Sequence, residues 1–141
     1  MRTISREFSE NPFTFIKGSE TGQLHSDSDQ NPLKECPESP NCIRYTHRFE
    51  VNSAGLFEET ITALKATGAI SVRSEKEQLQ IDGVYRIPIF GFLDDVRIRI
   101  EGLGDEGSIL HIRSSSRTGY SDLGVNRRRV VKIIETIQQQ L

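Results

Sequence analysis

Long apolar runs and tryptophan are both missing from this sequence, and tyrosine occurs only three times. A helix that crosses a bilayer needs about 18 or more consecutive apolar residues, so we predict no transmembrane segment. The N-terminus also lacks the apolar core of a secretory signal. For the chain as given, we therefore expect a soluble protein of the cytoplasm.

The sequence also lacks a large excess of either positive or negative charge. The 18 Lys and Arg residues nearly balance the 20 Asp and Glu residues, which gives a formal net charge of -2. Such a weak overall field does not attract nucleic acid or an acidic membrane, so anion binding has to depend on a local cluster of cationic side chains. The stretch GVYRIPIFGF (83–92) has neither the G-x-G-x-x-G nor the P-loop spacing, and no cofactor is predicted.

Cysteine is limited to Cys36 and Cys42, in the segment CPESPNC, and no C-x-x-C redox motif is present. The two prolines and the Ser-Pro-Asn run make a compact turn that could bring the sulfurs to the Cα separation of about 5.5 Å that a disulfide needs. In a reducing cytoplasm, however, two unpaired thiols are the preferred interpretation, and a disulfide is the second. A zinc site that includes His25 or His47 is the third, because the spacing matches no usual ligand pattern.

The first 35 residues differ in composition from the rest of the chain. Residues 17–32 contain one apolar residue, Leu24, and can bury too little surface to offset the entropy of ordering, so we predict a flexible linker. The preceding FSENPFTFI stretch is expected to dock on the domain. We divide the 141 residues into an extended or partly disordered segment, 1–35, and a single α+β domain, 36–141.

Apolar periodicity predicts the secondary structure of that domain. One helix is expected from Asn52 or Ser53 to about Thr67, and a second from about Ser121 or Asp122 to Leu141. Alternating apolar residues predict strands in YTHRFEV, AISVRS, LQIDGVYRIPIF, DDVRIRIE and SILHIRS. The order strand, helix, strands, helix indicates an α+β fold with an antiparallel sheet of about five strands and both helices on one face.

The hairpin of residues 95–113 has two plausible registers. Both of its strands carry apolar residues at even positions, so each register must keep these residues on one face. One register opposes Arg97 to Arg113, and like charges in that position destabilise a sheet. We therefore prefer the register that opposes Asp95 to Arg113.

The same parity assigns the polar side chains of the hairpin to faces. Those at even positions are predicted to lie under the helices, together with the sheet-facing side of the last helix, and those at odd positions point the other way. The candidate ligand-binding residues are Asp94, Asp95, Arg113, Ser114, Ser116, Arg117, Asp122, Asn126 and Arg127.

This polar cluster has a structural and a functional interpretation. In the structural one, Asp94 pairs with Arg127, Asp95 pairs with Arg113, and Ser121 or Asp122 caps the helix. In the functional one, Arg113, Arg117 or Arg127 combine with the helix N-terminus into a subsite for a carboxylate or phosphate. Arg128 and Arg129 are predicted to be solvated in both.

Three segments together resemble the bacterial and plastid family catalogued as domain of unknown function 1499: CPESPNC, FGFLDDVRIRI and HIRSSSRTGYSDLGVNRRRV. The resemblance covers about residues 36–141. The family has no established activity, so the resemblance implies that the polar cluster matters without assigning a reaction. Members often resemble envelope-associated or lumenal proteins with a preceding apolar segment. Removal of a leader from this chain would therefore imply the envelope, or the plastid or thylakoid lumen.

The favoured function is a non-enzymatic binding or interaction module whose Asp/Arg/Ser site holds a small anionic ligand or a protein partner. The first alternative is a hydrolase or transferase that uses Asp94 or Asp95 as acid/base, with arginines stabilising negative charge. No catalytic residue is assigned, because no Ser-His or Cys-His pair can be recognised, and no metal is predicted. Weak nucleic-acid binding is the second alternative, which the lack of an aromatic platform disfavours.

Overall fold

The fold is an α+β arrangement of five strands and two helices, in a computed structural model that describes residues 31–37, 41–88, 91–118 and 124–141. The strands are β1 Cys42–Phe49, β2 Ser71–Glu75, β3 Gln80–Arg86, β4 Leu93–Gly102 and β5 Ser108–Ser116, and the helices are α1 Ser53–Ala66 and α2 Val125–Gln140. The sheet order is β1-β5-β4-β3-β2, and every neighbouring pair is antiparallel. The predicted fold class is therefore confirmed.

Local sequence explains the bounds of α1. Asn52 is extended and its side chain accepts a hydrogen bond of 2.7 Å from the Gly55 backbone N–H, as expected of a helix N-cap. Thr67 is the C-cap, and Gly68 follows at φ 103°, a left-handed conformation that glycine adopts without steric cost. The second helix begins at Val125, and the predicted start at Ser121 or Asp122 falls outside the described residues.

The hydrophobic core fills the space between the helices and one face of the sheet. Apolar residues at even positions of β4 and β5 point into it, as the alternation predicts. They meet a stripe of aliphatic residues on α2 that recurs with helical spacing. Fully buried members of the core include Leu56 and Leu64 on α1, Ile81, Ile98, Leu110 and Ile112 on the sheet, and Val130, Ile133, Ile134 and Ile137 on α2.

The register of the β4–β5 hairpin differs from the preferred prediction. Arg97 lies opposite Arg113, and Asp95 lies opposite Ser115. Residues 103–107 form the connection, which the Leu103 N–H closes by donating to the Gly107 carbonyl at 2.9 Å. The prediction that Asp95 opposes Arg113 is therefore wrong.

Partners outside the hairpin explain why two arginines can face each other. Arg97 donates from Nε and Nη2 to the two carboxylate oxygens of Asp82 on β3, at 2.7 and 3.3 Å. Arg113 donates from Nε to the Lys34 carbonyl at 2.9 Å and from Nη1 to Ser115 Oγ at 3.1 Å. Each guanidinium is hydrogen-bonded to a different neighbour, and these bonds offset the repulsion between the two arginines that oppose each other in the hairpin.

Residues 31–37, here called the strap, lie over β1 and β5 on the face of the sheet opposite the helices. Arg44 donates from Nη1 to the Leu33 and Asn31 carbonyls, at 2.7 and 3.3 Å. Asn31 in turn donates from Nδ2 to the Tyr45 carbonyl at 3.2 Å. Residues 31–35, which the sequence assigns to the N-terminal segment, thus pack on the sheet, and the rest of that segment lies outside the described residues.

A disulfide between Cys36 and Cys42 ties the strap to the start of β1, with a Cα separation of 5.6 Å. The preferred interpretation of two free thiols is therefore wrong for this structure. The strap decides the pairing, because its hydrogen bonds to the sheet return Cys36 to the first residue of β1, and local sequence does not reveal those bonds. No helix within the described residues is long and apolar enough to cross a bilayer.

His47 gives the fold a pH dependence that can be measured. Its ring is 6% exposed, lies 5.0 Å from the ring of Phe49, and has Nδ1 at 3.2 Å from the Tyr45 hydroxyl. Burial lowers the pKa of His47 from 6.5 to about 4. The unfolded chain therefore binds the proton more readily, and the free energy of unfolding falls as the pH drops from about 6.5 to about 4.

Between pH 7 and pH 5, we expect the wild-type protein to lose about 2 kcal/mol more stability than the His47→Gln variant, which cannot titrate at this position. Urea unfolding at both pH values measures the difference. Parallel pH dependence in the two proteins would contradict a neutral, buried histidine.

Candidate functional site

A buried ion pair joins the start of β4 to α2. The Asp94 side chain is 0% exposed, and its Oδ2 lies 2.8 Å from Nη1 of Arg129, which is 10% exposed. The contact gives strong attraction, although neither Asp94 oxygen has a hydrogen bond of good geometry within the described residues. The Arg129 guanidinium also lies over the ring of Tyr85, 4.7 Å from its centroid. Arg129, and not the predicted Arg127, is therefore the partner of Asp94.

Helix geometry explains why Arg129 and not Arg127 is the partner of Asp94. Arg129 lies three residues after the buried Asn126 and four before the buried Ile133, so it shares the sheet-facing side of α2. The prediction that Arg129 is solvated is wrong for the same reason. Arg127 makes no ion pair with any residue in the described ranges, and Arg128 is exposed.

Asn126 connects three segments of the chain beneath the first turn of α2. Its Oδ1 accepts hydrogen bonds from Ser114 Oγ and from Arg129 Nη1, the latter at 2.9 Å. Its Nδ2 donates to the Asn41 carbonyl at 3.1 Å and to Ser116 Oγ at 3.0 Å. The side chain is 0% exposed, so this network holds the end of β5, the turn before β1 and the start of α2 together.

The opposite face of the sheet carries the rest of the predicted cluster. Arg117 donates from Nε and Nη2 to the two carboxylate oxygens of Asp95, at 2.9 and 2.8 Å, and each side chain is 49% exposed. The predicted pair of Asp95 with Arg113 is not formed, because the register turns Arg113 toward Arg97 and the strap. These hydrogen bonds to Asp95 raise the pKa of Arg117.

A groove of about 510 Å³ lies on this face, with strap residues 32–34 as one wall; we call it the arginine groove. Among the described residues that line it, six carry cationic side chains and two, Asp82 and Asp95, carry carboxylates. The cationic residues are Lys34, Arg73, Arg97, Arg99, Arg113 and Arg117. In a chain with a formal net charge of -2, this lining makes one face of the sheet locally positive.

Arg113 lies where the positive charges are most crowded. Burial lowers the pKa of Arg113, the nearby guanidiniums of Arg44 and Arg97 lower it further, and Asp95 opposes this shift. Arg97, by contrast, has a raised pKa because it hydrogen-bonds to Asp82. An anion in the groove would relieve the repulsion around Arg113.

A family model described as "Protein of unknown function (DUF1499)" matches residues 32–137. The chain belongs to the DUF1499 family. The resemblance seen in the sequence is confirmed, and the match also takes in most of the strap, beginning four residues before Cys36. The chain matches none of the curated proteins with which it was compared.

Three solved structures are similar to part of this DUF1499 chain. A di-domain ARO/CYC protein, BexL, from the BE-7585A biosynthetic pathway is 4% identical, with a TM-score of 0.46 over 70% of this chain and 43% of that one. A conserved protein from Geobacillus kaustophilus is 13% identical, with a TM-score of 0.36 over 69% and 92% of the two chains. A TBP-like protein from Parabacteroides distasonis is 12% identical, with a TM-score of 0.35 over 78% and 89%.

The sheet of the DUF1499 domain separates the predicted site residues into two groups. The buried network under α2 contains Asp94, Ser114, Ser116 and Asn126, and the arginine groove contains Asp95, Arg113 and Arg117. Asp122 lies outside the described residues. Within the described residues, no group of three or more His, Cys, Asp or Glu side chains could hold a metal ion.

Sequence reasoning missed five charged residues of the groove: Lys34, Arg73, Asp82, Arg97 and Arg99. Parity could have placed Arg97 and Arg99 on the same face as Arg113, since all three have odd numbers in one hairpin. Arg73 and Asp82 belong to β2 and β3, and their position follows only from the order of the strands in the sheet.

Proposed function

We propose that this DUF1499 domain is a non-enzymatic binding module that holds an anionic ligand in the arginine groove. One observation carries the proposal: within the described part of the chain, six cationic side chains and two carboxylates line one groove of a protein whose formal net charge is -2. Such local excess raises the concentration of anions at the site and their rate of association. Of the candidate residues predicted from the sequence, this proposal retains Asp95, Arg113 and Arg117, together with their neighbours in the arginine groove.

Several guanidiniums are held in place before any ligand binds. Arg97 and Arg117 each use Nε and Nη2 on a carboxylate, and Arg113 uses Nε and Nη1 on the Lys34 carbonyl and Ser115. Each keeps one terminal nitrogen without a hydrogen bond to the described residues. A side chain already fixed in this way loses less conformational entropy on binding, which supports recognition of an anion.

The arrangement of the acids supports binding more than catalysis. Asp94 is buried against Arg129 on the other side of the sheet, and both oxygens of Asp95 accept hydrogen bonds from Arg117. Neither carboxylate is therefore poised to exchange a proton with a ligand in the groove. No aromatic ring belongs to the described lining of the groove, which gives no support to stacking of single-stranded nucleic acid.

Replacement of Arg113 by glutamine is expected to weaken binding of inorganic phosphate by at least about tenfold, because a charged hydrogen-bond donor is lost. Isothermal titration calorimetry at low ionic strength measures the change. The Arg99 side chain has no hydrogen bond to the strap among the described residues, and Arg99→Gln should also weaken binding. Lys132→Gln removes the same charge from the exposed side of α2 and should leave affinity unchanged.

Two results would overturn the proposal. The first is that neither phosphate nor a carboxylate such as citrate binds the wild-type protein at millimolar concentration. The second is that Lys132→Gln loses as much affinity as the two groove variants, since the effect would then reflect net charge and not a site.

The Cys36–Cys42 disulfide supports residence in an oxidising compartment, such as the envelope or a lumen, over the cytoplasm expected from the sequence. Alkylation of the thiols in the native cells tests this part of the proposal. We expect alkylation only after reduction. Alkylation without reduction would indicate a reducing compartment.

A further inference from the structure

One row of opposed residues crosses the whole sheet on the face of the arginine groove. It runs from Arg44 on β1 through Arg113 on β5, Arg97 on β4 and Asp82 on β3 to Arg73 on β2, and each is the register partner of the next. Opposed residues in antiparallel strands have their Cα atoms about 4.5–5.5 Å apart. Charged side chains therefore repeat at about 5 Å in a line perpendicular to the strands; we call this line the arginine row.

The two ends of the arginine row differ in access. The strap covers Arg44, which is 4% exposed and donates to the Asn31 and Leu33 carbonyls. From Arg113 to Arg73 the row lines the groove and is open to solvent. The accessible part of the row thus crosses β5, β4, β3 and β2, which at a strand separation of about 4.8 Å is about 14 Å.

Further cations lie beside this open part of the row. Arg99 is two residues from Arg97 on β4, so it points to the same face at a distance of about 7 Å along the strand. Arg73 and Arg99 are both exposed, and their side chains make no hydrogen bond or ion pair within the described residues. Asp82 and Asp95 are already engaged by Arg97 and Arg117, so charge remains uncompensated along the row.

The spacing of these charges discriminates between kinds of anion. A single carboxylate can neutralise one guanidinium and would leave the others uncompensated. In an extended acidic peptide, side chains on one face recur every two residues, about 7 Å apart, which is wider than the spacing of about 5 Å between Arg113 and Arg97. Phosphoryl groups that share a bridging oxygen lie closer together than the side chains of such a peptide. A terminal phosphoryl group also carries more than one negative charge.

We propose that the ligand of the arginine groove is a chain of phosphoryl groups that lies across the strands, along the arginine row from Arg113 to Arg73. This inference rests on the proposed function and specifies its ligand class. Guanidinium groups hold the phosphoryl chain of the ligand. The affinity for the ligand therefore depends on the number of phosphoryl groups and not on what is attached to them. Free oligophosphate and the phosphate chain of a nucleotide share this chemistry.

Calorimetric titration of the wild-type protein with phosphate, pyrophosphate and tripolyphosphate, at matched ionic strength and without divalent cations, tests the ligand class. We expect affinity to rise by at least fivefold with each added phosphoryl group. If the natural ligand is a free oligophosphate, a nucleoside triphosphate should bind no more tightly than tripolyphosphate. Tighter binding of the nucleoside triphosphate would mean that the natural ligand is a nucleotide, still recognised through its phosphoryl groups.

The Arg73→Gln variant tests the direction of the chain. Arg73 is at the far end of the row, about 14 Å from Arg113 and beyond the length of tripolyphosphate, so its loss should weaken binding of a linear hexaphosphate by at least fivefold and change the affinity for single phosphate by less than twofold. Lys132→Gln should alter neither value. Equal losses for phosphate and hexaphosphate in Arg73→Gln would overturn the placement along the row.

The titrations distinguish failure of this inference from failure of the proposed function. If phosphate binds and Arg113→Gln removes that binding, but tripolyphosphate binds no tighter than phosphate, the groove binds anions and the phosphoryl chain is wrong. Binding of citrate or hexaglutamate as tight as that of tripolyphosphate would likewise overturn the ligand class. If no anion binds, both proposals fail.

Discussion

Replacement of Arg129 by methionine is expected to lower the free energy of unfolding by about 3–5 kcal/mol, because it leaves a buried carboxylate without a counter-charge. Asp94 is 0% exposed, and Arg129 is the cation that lies 2.8 Å from it. The substitution also removes the guanidinium from the Tyr85 ring. Urea unfolding followed by circular dichroism measures the loss.

Two further variants separate a buried pair from charge effects in general. Arg117→Met breaks the pair with Asp95, in which each side chain is 49% exposed, and should cost much less than Arg129→Met because solvent screens the pair. Asp94→Asn in the Arg129→Met background should recover part of the loss, since it removes the stranded charge. Equal costs for Arg129→Met and Arg117→Met would contradict the buried pairing.

Replacement of Asn126 by leucine, which has a similar volume, is expected to lower the free energy of unfolding by about 3 kcal/mol. Asn126 makes hydrogen bonds with four partners, and an unsatisfied buried polar group costs about 1–3 kcal/mol. The Ser114 and Ser116 hydroxyls would lose the amide that they share. Thermal and urea unfolding both measure the effect.

Gln138→Leu is the matched control on the same helix. Gln138 is also buried, but its Nε2 has no hydrogen-bond partner among the described residues. Its replacement by leucine should therefore change stability by at most about 1 kcal/mol in either direction. A similar loss in Asn126→Leu and Gln138→Leu would mean that leucine is poorly accommodated in α2 and that the hydrogen bonds of Asn126 contribute little.

Local sequence patterns are sufficient to predict the helices and strands of this protein and the face on which their side chains lie. The strict alternation of DDVRIRIE requires a strand with one apolar face, and Asn52 together with Gly68 bounds the first helix. These features follow from interactions within a few residues of one another. For the same reason, parity correctly separated the side of Asp94 from the side of Asp95.

The pairs that these side chains form depend on how the strands and helices pack together. Asp94 could reach several arginines on the basis of parity, and the placement of α2 selected Arg129. Arg97 faces Arg113 because Asp82 on a third strand and Lys34 in the strap hold the two guanidiniums apart, and neither partner belongs to the hairpin. The arginine row likewise depends on the order of all five strands. Periodicity fixes the face that a residue occupies, whereas its partner depends on contacts between segments that are far apart in the chain.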